Sequence, residues 1–321
     1  MLSASDIIFI QGTFPSANIV LIKDEHPTLI DSGFGSDIES TKANLEKTGI
    51  APSEIKRIIN THYHSDHVGG NHFFQTNYHV EIMAQEWDAS LINHKNPEAC
   101  SAIWLDQPVE PYHVSTPVRD GDVIGTGNHH FQVIHTMGHT LGHISLYEPV
   151  EQILIGGDLF HQNDVGWLSV FREGAGAMER SLNSLERIAA LPIKKAYSGH
   201  GPAIDHPAEA IHKAKERIKK WMHQPEKSAW HACKRIFAFT LMIKNGLSEK
   251  EMLPYLNSCP WYRDFAMNAF GMTPEAFLPP LIEEMQRSKA AYWEDNYLLA
   301  GAPYRAPSEA WVEEHKQPLK W

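Results

Sequence analysis

Thr61-His62-Tyr63-His64-Ser65-Asp66-His67-Val68-Gly69-Gly70 is the stretch that decides the fold. Its three histidines and one aspartate fall within six residues, in the order His-x-His-x-Asp-His. Imidazole nitrogen and carboxylate oxygen are ligands that zinc and similar divalent ions accept. Four such groups this close together cannot all serve one small ion, so the spacing is that of two interleaved half-sites. That pattern points to a two-metal hydrolytic centre. The run before it, Ile55–Asn60, is short, apolar and β-branched, as a buried strand is. Ligands in α/β sheets gather beyond the carboxyl ends of strands, so the motif stands where a site is expected.

Strand signatures recur on both sides of the motif. Residues 7–31 read as paired strands broken by Lys23-Asp24-Glu25-His26-Pro27, and a helix over Ser36–Thr48 closes at Gly49. Further strands are expected at 78–84, 131–136, 144–148, 152–156 and 194–198, with a helix over Met178–Ala190. Three polar motifs follow strand ends: His135-Thr136-Met137-Gly138-His139-Thr140-Leu141-Gly142-His143, then Gly156-Gly157-Asp158, then Gly199-His200-Gly201. Glycine beside each polar residue lets the backbone turn tightly and approach an ion. Residues 86–117 and 160–176 are irregular, and long irregular segments in compact domains serve as lids or binding loops.

The character changes after residue 206. Ile211, Ala214, Ile218 and Trp221 recur at helical spacing, and Glu226–Asn245 reads as a second helix stopped by Gly246. Ser248-Glu249-Lys250-Glu251 is a capping box for a third, and Pro280–Ala291 is expected to be a fourth. The chain therefore divides into a sheet-containing part, 1–206, and an α-helical C-terminal region, 207–321.

Composition narrows the function classes. The net charge of −11 disfavours non-specific nucleic-acid binding by the whole protein. Residues 206–235 alone carry 8 Lys and Arg against 3 Glu, which reads as a solvated helix face or as a local attraction for an anionic substrate group. No apolar run is long enough for a transmembrane helix, and the first residues lack a signal-peptide pattern. Cys100, Cys233 and Cys259 are scattered and odd in number, which argues against a disulfide framework and fits a reducing cytoplasm. Oligomeric state is not encoded legibly, and a homo-oligomer is compatible with the chain.

The ordered series of motifs over residues 5–206 resembles the metallo-β-lactamase-fold hydrolase superfamily, in particular its glyoxalase II-like or β-lactamase-like metal hydrolase branch. The resemblance implies an α+β architecture, an αββα sandwich, with an α-rich C-terminal extension. It implies that His62, His64 and His139 hold a first metal, Asp66, His67 and His200 a second, and that Asp158 bridges both. His135 and His143 are then structural neighbours within the His139 motif. Two ions about 3.5–4 Å apart let one hydroxide bridge them, and Asp66 is expected to shuttle a proton as well as ligate. Zinc is the first choice of metal, and iron or manganese suits the same ligands.

The family fixes a reaction type more than a substrate. β-Lactamases of this superfamily generally lack an aspartate at the Asp158 position, and several use a cysteine ligand, so that activity is disfavoured. A carboxylic ester, lactone or thioester is preferred, with Phe160, Trp167 and Phe171 as candidate walls of an acyl pocket. A phosphodiesterase or ribonuclease is the alternative, since the C-terminal extension resembles the helical or winged-helix-like appendages of β-lactamase-like endoribonucleases. A different class is a non-catalytic metal-binding scaffold whose helical region binds a protein through Trp221, Trp230, Trp261 and Trp311.

Overall fold

The computed structural model describes residues 6–316. Two mixed sheets face one another. The first has six strands, β1 (Ile7–Ile10), β2 (Ile19–Ile22), β3 (Thr28–Ile30), β4 (Arg57–Ile59), β5 (Glu81–Gln85) and β6 (Thr116–Val118), neighbours in that order. β1, β2 and β3 pair antiparallel, whereas β3 to β6 run parallel. Parallel neighbours need crossovers, and helices α1 (Ile38–Lys47), α2 (Ser65–Val68), α3 (Asn71–Tyr78) and α4 (Glu86–Asn93) lie in them. The second sheet has five strands, β7 (Val123–Gly125), β8 (His130–His135), β9 (Ile144–Glu148), β10 (Ile153–Gly157) and β11 (Lys195–Ser198), antiparallel except for the β10–β11 pair.

The strand sequences explain the layering. β2 and β10 are buried along their whole length, because each sheet is covered on both faces. Ile7, Val20, Ile30 and Ile59 of the first sheet meet Phe131, Val133, Leu146 and Ile155 of the second in one core. Leu21, Leu29 and Ile58 point the other way and pack with Leu45, Phe74 and Ile92 of the helices. Each fully buried aliphatic side chain stabilises the fold by about 1.5–3 kcal/mol.

The outer face of the second sheet is covered by two amphipathic helices, reached after two short helices, α5 (Ala102–Leu105) and α6 (Val170–Glu173). α7 (Ala177–Ala189) buries Leu185 and Ile188, and α8 (Pro207–His223) buries Ile211, Ala214, Ile218 and Trp221. Pro207 opens α8, where its missing N–H costs nothing. The result is an αββα sandwich.

The C-terminal part adds α9 (Pro225–Lys244), α10 (Glu249–Ser258), α11 (Pro260–Asp264), α12 (Pro274–Arg287) and α13 (Glu309–Glu314). α9 stops as expected, with Asn245 left-handed at φ 53° and Gly246 N–H donating to Leu241 O at 2.8 Å. α12 begins six residues before Pro280, at Pro274, where the Thr273 hydroxyl accepts from Ala276 N. Phe277, Leu281 and Met285 bury one face and carry the helix through its internal prolines. It ends at Arg287, so the expected helical stretch to Ala291 is instead a turn into strand.

A three-stranded sheet follows, unanticipated among the helices: β12 (Leu247–Ser248), β13 (Ala291–Glu294) and β14 (Tyr297–Ala300), in the order β12-β14-β13. β13 and β14 form a hairpin whose turn residues Asp295 and Asn296 both have positive φ, the geometry that favours Asp, Asn and Gly. The C-terminal core also takes in Trp104 and Leu105 of α5. Trp221 and Trp261 lie inside cores, while Trp230 packs on Phe270 and Trp311 on Phe34. All four tryptophans thus have intramolecular partners. Among the described residues, no helix is long and apolar enough to cross a membrane.

Candidate metal centre

Seven polar side chains converge at one edge of the sandwich, drawn from the ends of both sheets: His62, His64, Asp66, His67, His139, Asp158 and His200. His62 and His64 follow β4, and Asp66 and His67 sit on α2. His139 lies in the loop after β8, Asp158 directly follows β10, and His200 follows β11.

Three overlapping clusters result. His62 Nε2 is 3.0 Å from His64 Nδ1, which is 2.9 Å from His139 Nε2. Asp66, His67 and His200 form a second cluster, with His200 Nε2 3.1 Å from Asp66 Oδ2. His62, His67 and Asp158 form the third. Asp158 lies between the first two, 3.7 Å from His139 Nε2 through Oδ2 and 3.5 Å from His67 Nε2 through Oδ1.

The donor set fits divalent ions. Two ring nitrogens, His62 Nε2 and His139 Nε2, crowd His64 Nδ1, and one hydrogen bond cannot satisfy both close contacts. His67 Nε2 and Asp158 Oδ1 are buried with no hydrogen-bond partner, a costly state unless a cation sits there. Burial, reinforced by neighbouring histidines, pulls His62 and His64 well below the ordinary imidazole range, which keeps them in the neutral, ligating form. Burial also lowers His139. Burial would lower His67 too, but the carboxylates of Asp66, Asp31 and Asp158 outweigh it and hold that group well above its usual value. Asp158 is the reverse case: burial raises it, while His200 and His67 outweigh burial and hold it well below the carboxylate range.

Three of the outward nitrogens are also occupied, while His64 Nε2 is buried without a hydrogen-bond partner. His67 Nδ1 meets Asp31 Oδ2 at 2.7 Å, and His139 Nδ1 donates to the Trp167 carbonyl at 2.7 Å. His62 Nδ1 lies 3.2 Å from Thr61 Oγ1. Such partners orient metal-binding imidazoles. Asp31 also accepts from Thr61 N and Thr61 Oγ1, at 2.8 and 2.7 Å.

Two glycines complete the enclosure. A Cβ on Gly199 would stand 2.1 Å from Asp158 Oδ1, and one on Gly166 would stand 2.2 Å from Asp158 O and 2.9 Å from His139 Nδ1.

The other histidines of the His139 motif hold the loop. His135 Nε2 donates to Leu141 O at 2.7 Å. His143 Nε2 accepts the Asp158 N–H at 3.0 Å and its Nδ1 meets Thr136 Oγ1 at 2.8 Å, so the ring fixes the backbone that carries Asp158. Asn71 bonds to Asn60 and Ser32 and touches no ligand. Tyr63 is buried with its hydroxyl on Ser101, and its ring packs edge-on against His64 at 5.4 Å.

A cleft of about 280 Å³ opens over His64, Asp66, Asp158 and His200. Phe14, Leu105, Val165, Trp167, Ile236 and Phe239 give it apolar walls, and His161 and Gln107 add polar groups. Phe14 stacks on His200 at 5.1 Å, and Trp167 stacks on His64 at 5.0 Å. Of the three expected acyl-pocket residues, only Trp167 lines the cleft. Phe160 is fully buried beneath the second sheet, and Phe171 packs on Phe265 beside a separate outer groove.

Phe14 and the α9 wall of Arg235, Ile236 and Phe239 were not anticipated, since nothing local to them signals a cleft. The basic stretch of α8 is mostly a paired helix face: Lys213 meets Glu209, Lys219 meets Glu216 and Lys215 meets Glu186. Among the described residues, one cationic side chain of the Lys/Arg type, Arg235, lines the cleft, and it is tied to Asp164.

Comparison with known proteins agrees with this geometry. The profile of the Metallo-beta-lactamase superfamily matches residues 12–200. Hydroxyacylglutathione hydrolase of Maricaulis maris (strain MCS10) is 33% identical over 173 residues, 53% of this chain and 58% of that protein. The chain therefore spans less than two thirds of that relative's length. Acyl-coenzyme A thioesterase MBLAC2 of Bos taurus is 28% identical over 210 residues, 57% of this chain and 72% of that protein. Among solved structures, the metallo-beta-lactamase family protein TTHA1429 from Thermus thermophilus superposes with a TM-score of 0.59 at 20% identity, covering 92% of this chain and 97% of that one.

Proposed function

Because the chain belongs to the metallo-beta-lactamase superfamily, we propose that it is a dinuclear metal-dependent hydrolase that cleaves a thioester, lactone or other carboxylic ester. In this reading His62, His64 and His139 hold one divalent ion, Asp66, His67 and His200 hold a second, and Asp158 serves both. Zinc is the metal of choice for this nitrogen-rich set, with iron or manganese as substitutes. When bound, such ions lower the pKa of coordinated water toward about 7 and stabilise negative charge developing on the acyl oxygen.

The protein's own groups do the rest. Asp66 lines the cleft and touches His200, so its carboxylate is placed to take a proton from the attacking water and return it to the leaving group. Phe14, Leu105, Trp167, Ile236 and Phe239 hold the apolar part of the substrate and exclude water. Asp31 and the Trp167 carbonyl keep His67 and His139 turned inward.

The observation that carries the acyl assignment is the cleft lining among the described residues: apolar walls and a single arginine already paired to Asp164, in place of a basic track for a phosphodiester backbone. The names of the two relatives, an acylglutathione hydrolase and an acyl-coenzyme A thioesterase, support the same bond class.

Metal-replete protein is to be tested on a panel of acyl thioesters, lactones and phosphodiesters, alongside Asp158→Ala. Acyl hydrolysis that disappears in the variant is expected. Rapid phosphodiester turnover with no acyl hydrolysis would overturn the assignment.

A further inference from the structure

The segment from Asp158 to Trp167 begins at the shared carboxylate and ends at the residue that holds His139. Within it, Asp164 is gripped by side chains of α8, on the outer face of the sandwich, and of α9 beyond it. Arg217 Nη1 on α8 approaches Asp164 Oδ1 at 2.7 Å, and His231 Nε2 on α9 approaches it at 3.1 Å. Arg235 Nη2 on α9 bonds to Oδ2. Burial alone would raise the Asp164 carboxyl, but His231, Arg235 and Arg217 outweigh it and hold the group ionised far below the usual range. Arg217 Nη2 also donates to Asn163 O at 2.9 Å.

Within the segment, His161 N donates to Asp164 O at 2.8 Å and Gly166 N donates to Asp158 O at 3.0 Å. These bonds leave little slack between the carboxylate clamp and the metal cluster. At the far end Trp167 acts twice: its carbonyl receives His139 Nδ1–H, and its ring lies flat on His64 with 22° between planes. The ring is backed by Trp104, whose Nε1 donates to Asp264 Oδ2 on α11 at 2.7 Å.

We propose that Asp164 is a positioning residue through which the C-terminal helices set the geometry of the three-histidine half-site. The chain of contacts runs from Arg217, His231 and Arg235 to Asp164, along the taut turn to Trp167, and from Trp167 to His139 and His64. The helices supply no ligand, yet they determine where two ligand rings point. A neutral imidazole presents a lone pair on one nitrogen only when the other carries the proton. The Trp167 carbonyl makes that choice for His139. The inference rests on the metal-centre reading above.

The test uses full-length protein and three variants: Asp164→Asn, Asp164→Glu and Arg217→Gln. Each is loaded stepwise with Zn²⁺ against a chromophoric chelator, then with Co²⁺ to record the ligand-field spectrum, with thermal melts to check folding. Loss of a metal ligand's hydrogen-bonding support weakens binding by about 10–100-fold.

Asp164→Asn is expected to weaken one of two binding steps about tenfold or more and to change the Co²⁺ spectrum. Asp164→Glu restores part of the loss, and Arg217→Gln shows the same change in smaller degree. Should Asp164→Asn fail to fold, Arg217→Gln carries the test, since it leaves the carboxylate with two partners. Two unchanged affinities and an unchanged spectrum in folded variants would overturn the inference. Wild-type protein that takes up no metal would instead overturn the metal-centre reading, so the two failures are distinct.

Discussion

Asp31→Asn is the most discriminating change at the centre, because the replacement is isosteric and its conflict can be counted atom by atom. Asp31 lies at φ 61°, a left-handed backbone that asparagine tolerates and alanine resists, so the substitution leaves the local chain path alone. The native carboxylate accepts from three groups: Thr61 N at Oδ1, and Thr61 Oγ1 and His67 Nδ1 at Oδ2. An amide has one acceptor oxygen. If that oxygen faces Thr61 N, the NH₂ group faces His67 Nδ1 and drives the proton onto Nε2, the atom aimed at Asp158 and Asp66.

In the other orientation the NH₂ group meets the buried Thr61 N–H, and a donor is left unpaired. Either outcome costs about 1–3 kcal/mol, the penalty for an unsatisfied buried polar group. In the first orientation the cost appears as metal affinity, roughly 5- to 150-fold weaker binding at the half-site containing His67, with the three-histidine half-site unaffected. Chelator competition with Zn²⁺, followed by metal analysis of dialysed protein, measures both steps. Two ions bound with wild-type affinities, at wild-type stability, would refute the reasoning.

Other outcomes follow from packing and charge. Gly166→Ala places a methyl group against Asp158 O and His139 Nδ1, so metal content should fall and activity drop by about 100-fold or more, the scale of a 1 Å misplacement; an unchanged kcat/KM would count against the geometry. Phe160→Ala empties a fully buried site between the second sheet and its helices and should cost about 3–5 kcal/mol in urea unfolding. Burial lifts Glu173 to about 7 from the ordinary 4.5, so its protonated form belongs to the folded state: stability is full below pH 4.5 and declines as pH rises toward 7. The window amounts to about 3 kcal/mol, and Glu173→Gln should flatten it and be the more stable protein above pH 7 in denaturant titrations at pH 5, 6 and 7.5.

What the sequence made legible was local. β9 was readable because Ile144, Leu146 and Tyr147 give a strand pattern between the glycine-containing loop that ends at His143 and Pro149. That His139, Asp158 and His200 join the His62–His67 run was readable through the family resemblance, each of the three standing beside glycine after an expected strand. What stayed hidden depended on distance along the chain. Phe239 has helical spacing with Ile236 and Arg235, but periodicity tells which face is apolar and never which surface it meets. The Trp167 contact with His139 is made by a carbonyl, which every residue possesses, so no side-chain pattern announces it. The β13–β14 hairpin did leave a signal, Asp295-Asn296 between two short runs rich in aromatic and aliphatic residues, outweighed by the helical reading of the residues before it.

The candidate ligands are distributed over the two halves of the sandwich: four beside β4 in the first sheet, and three beside β8, β10 and β11 in the second. Ions held there would act as rivets driven through both layers. The sheets could then not slide or part without first releasing metal, so the loaded protein should resist proteases and heat through a slow unfolding rate, beyond what its equilibrium stability requires. Release of metal would then mark the opening of the layers, and a dye that reports free zinc could time that event directly.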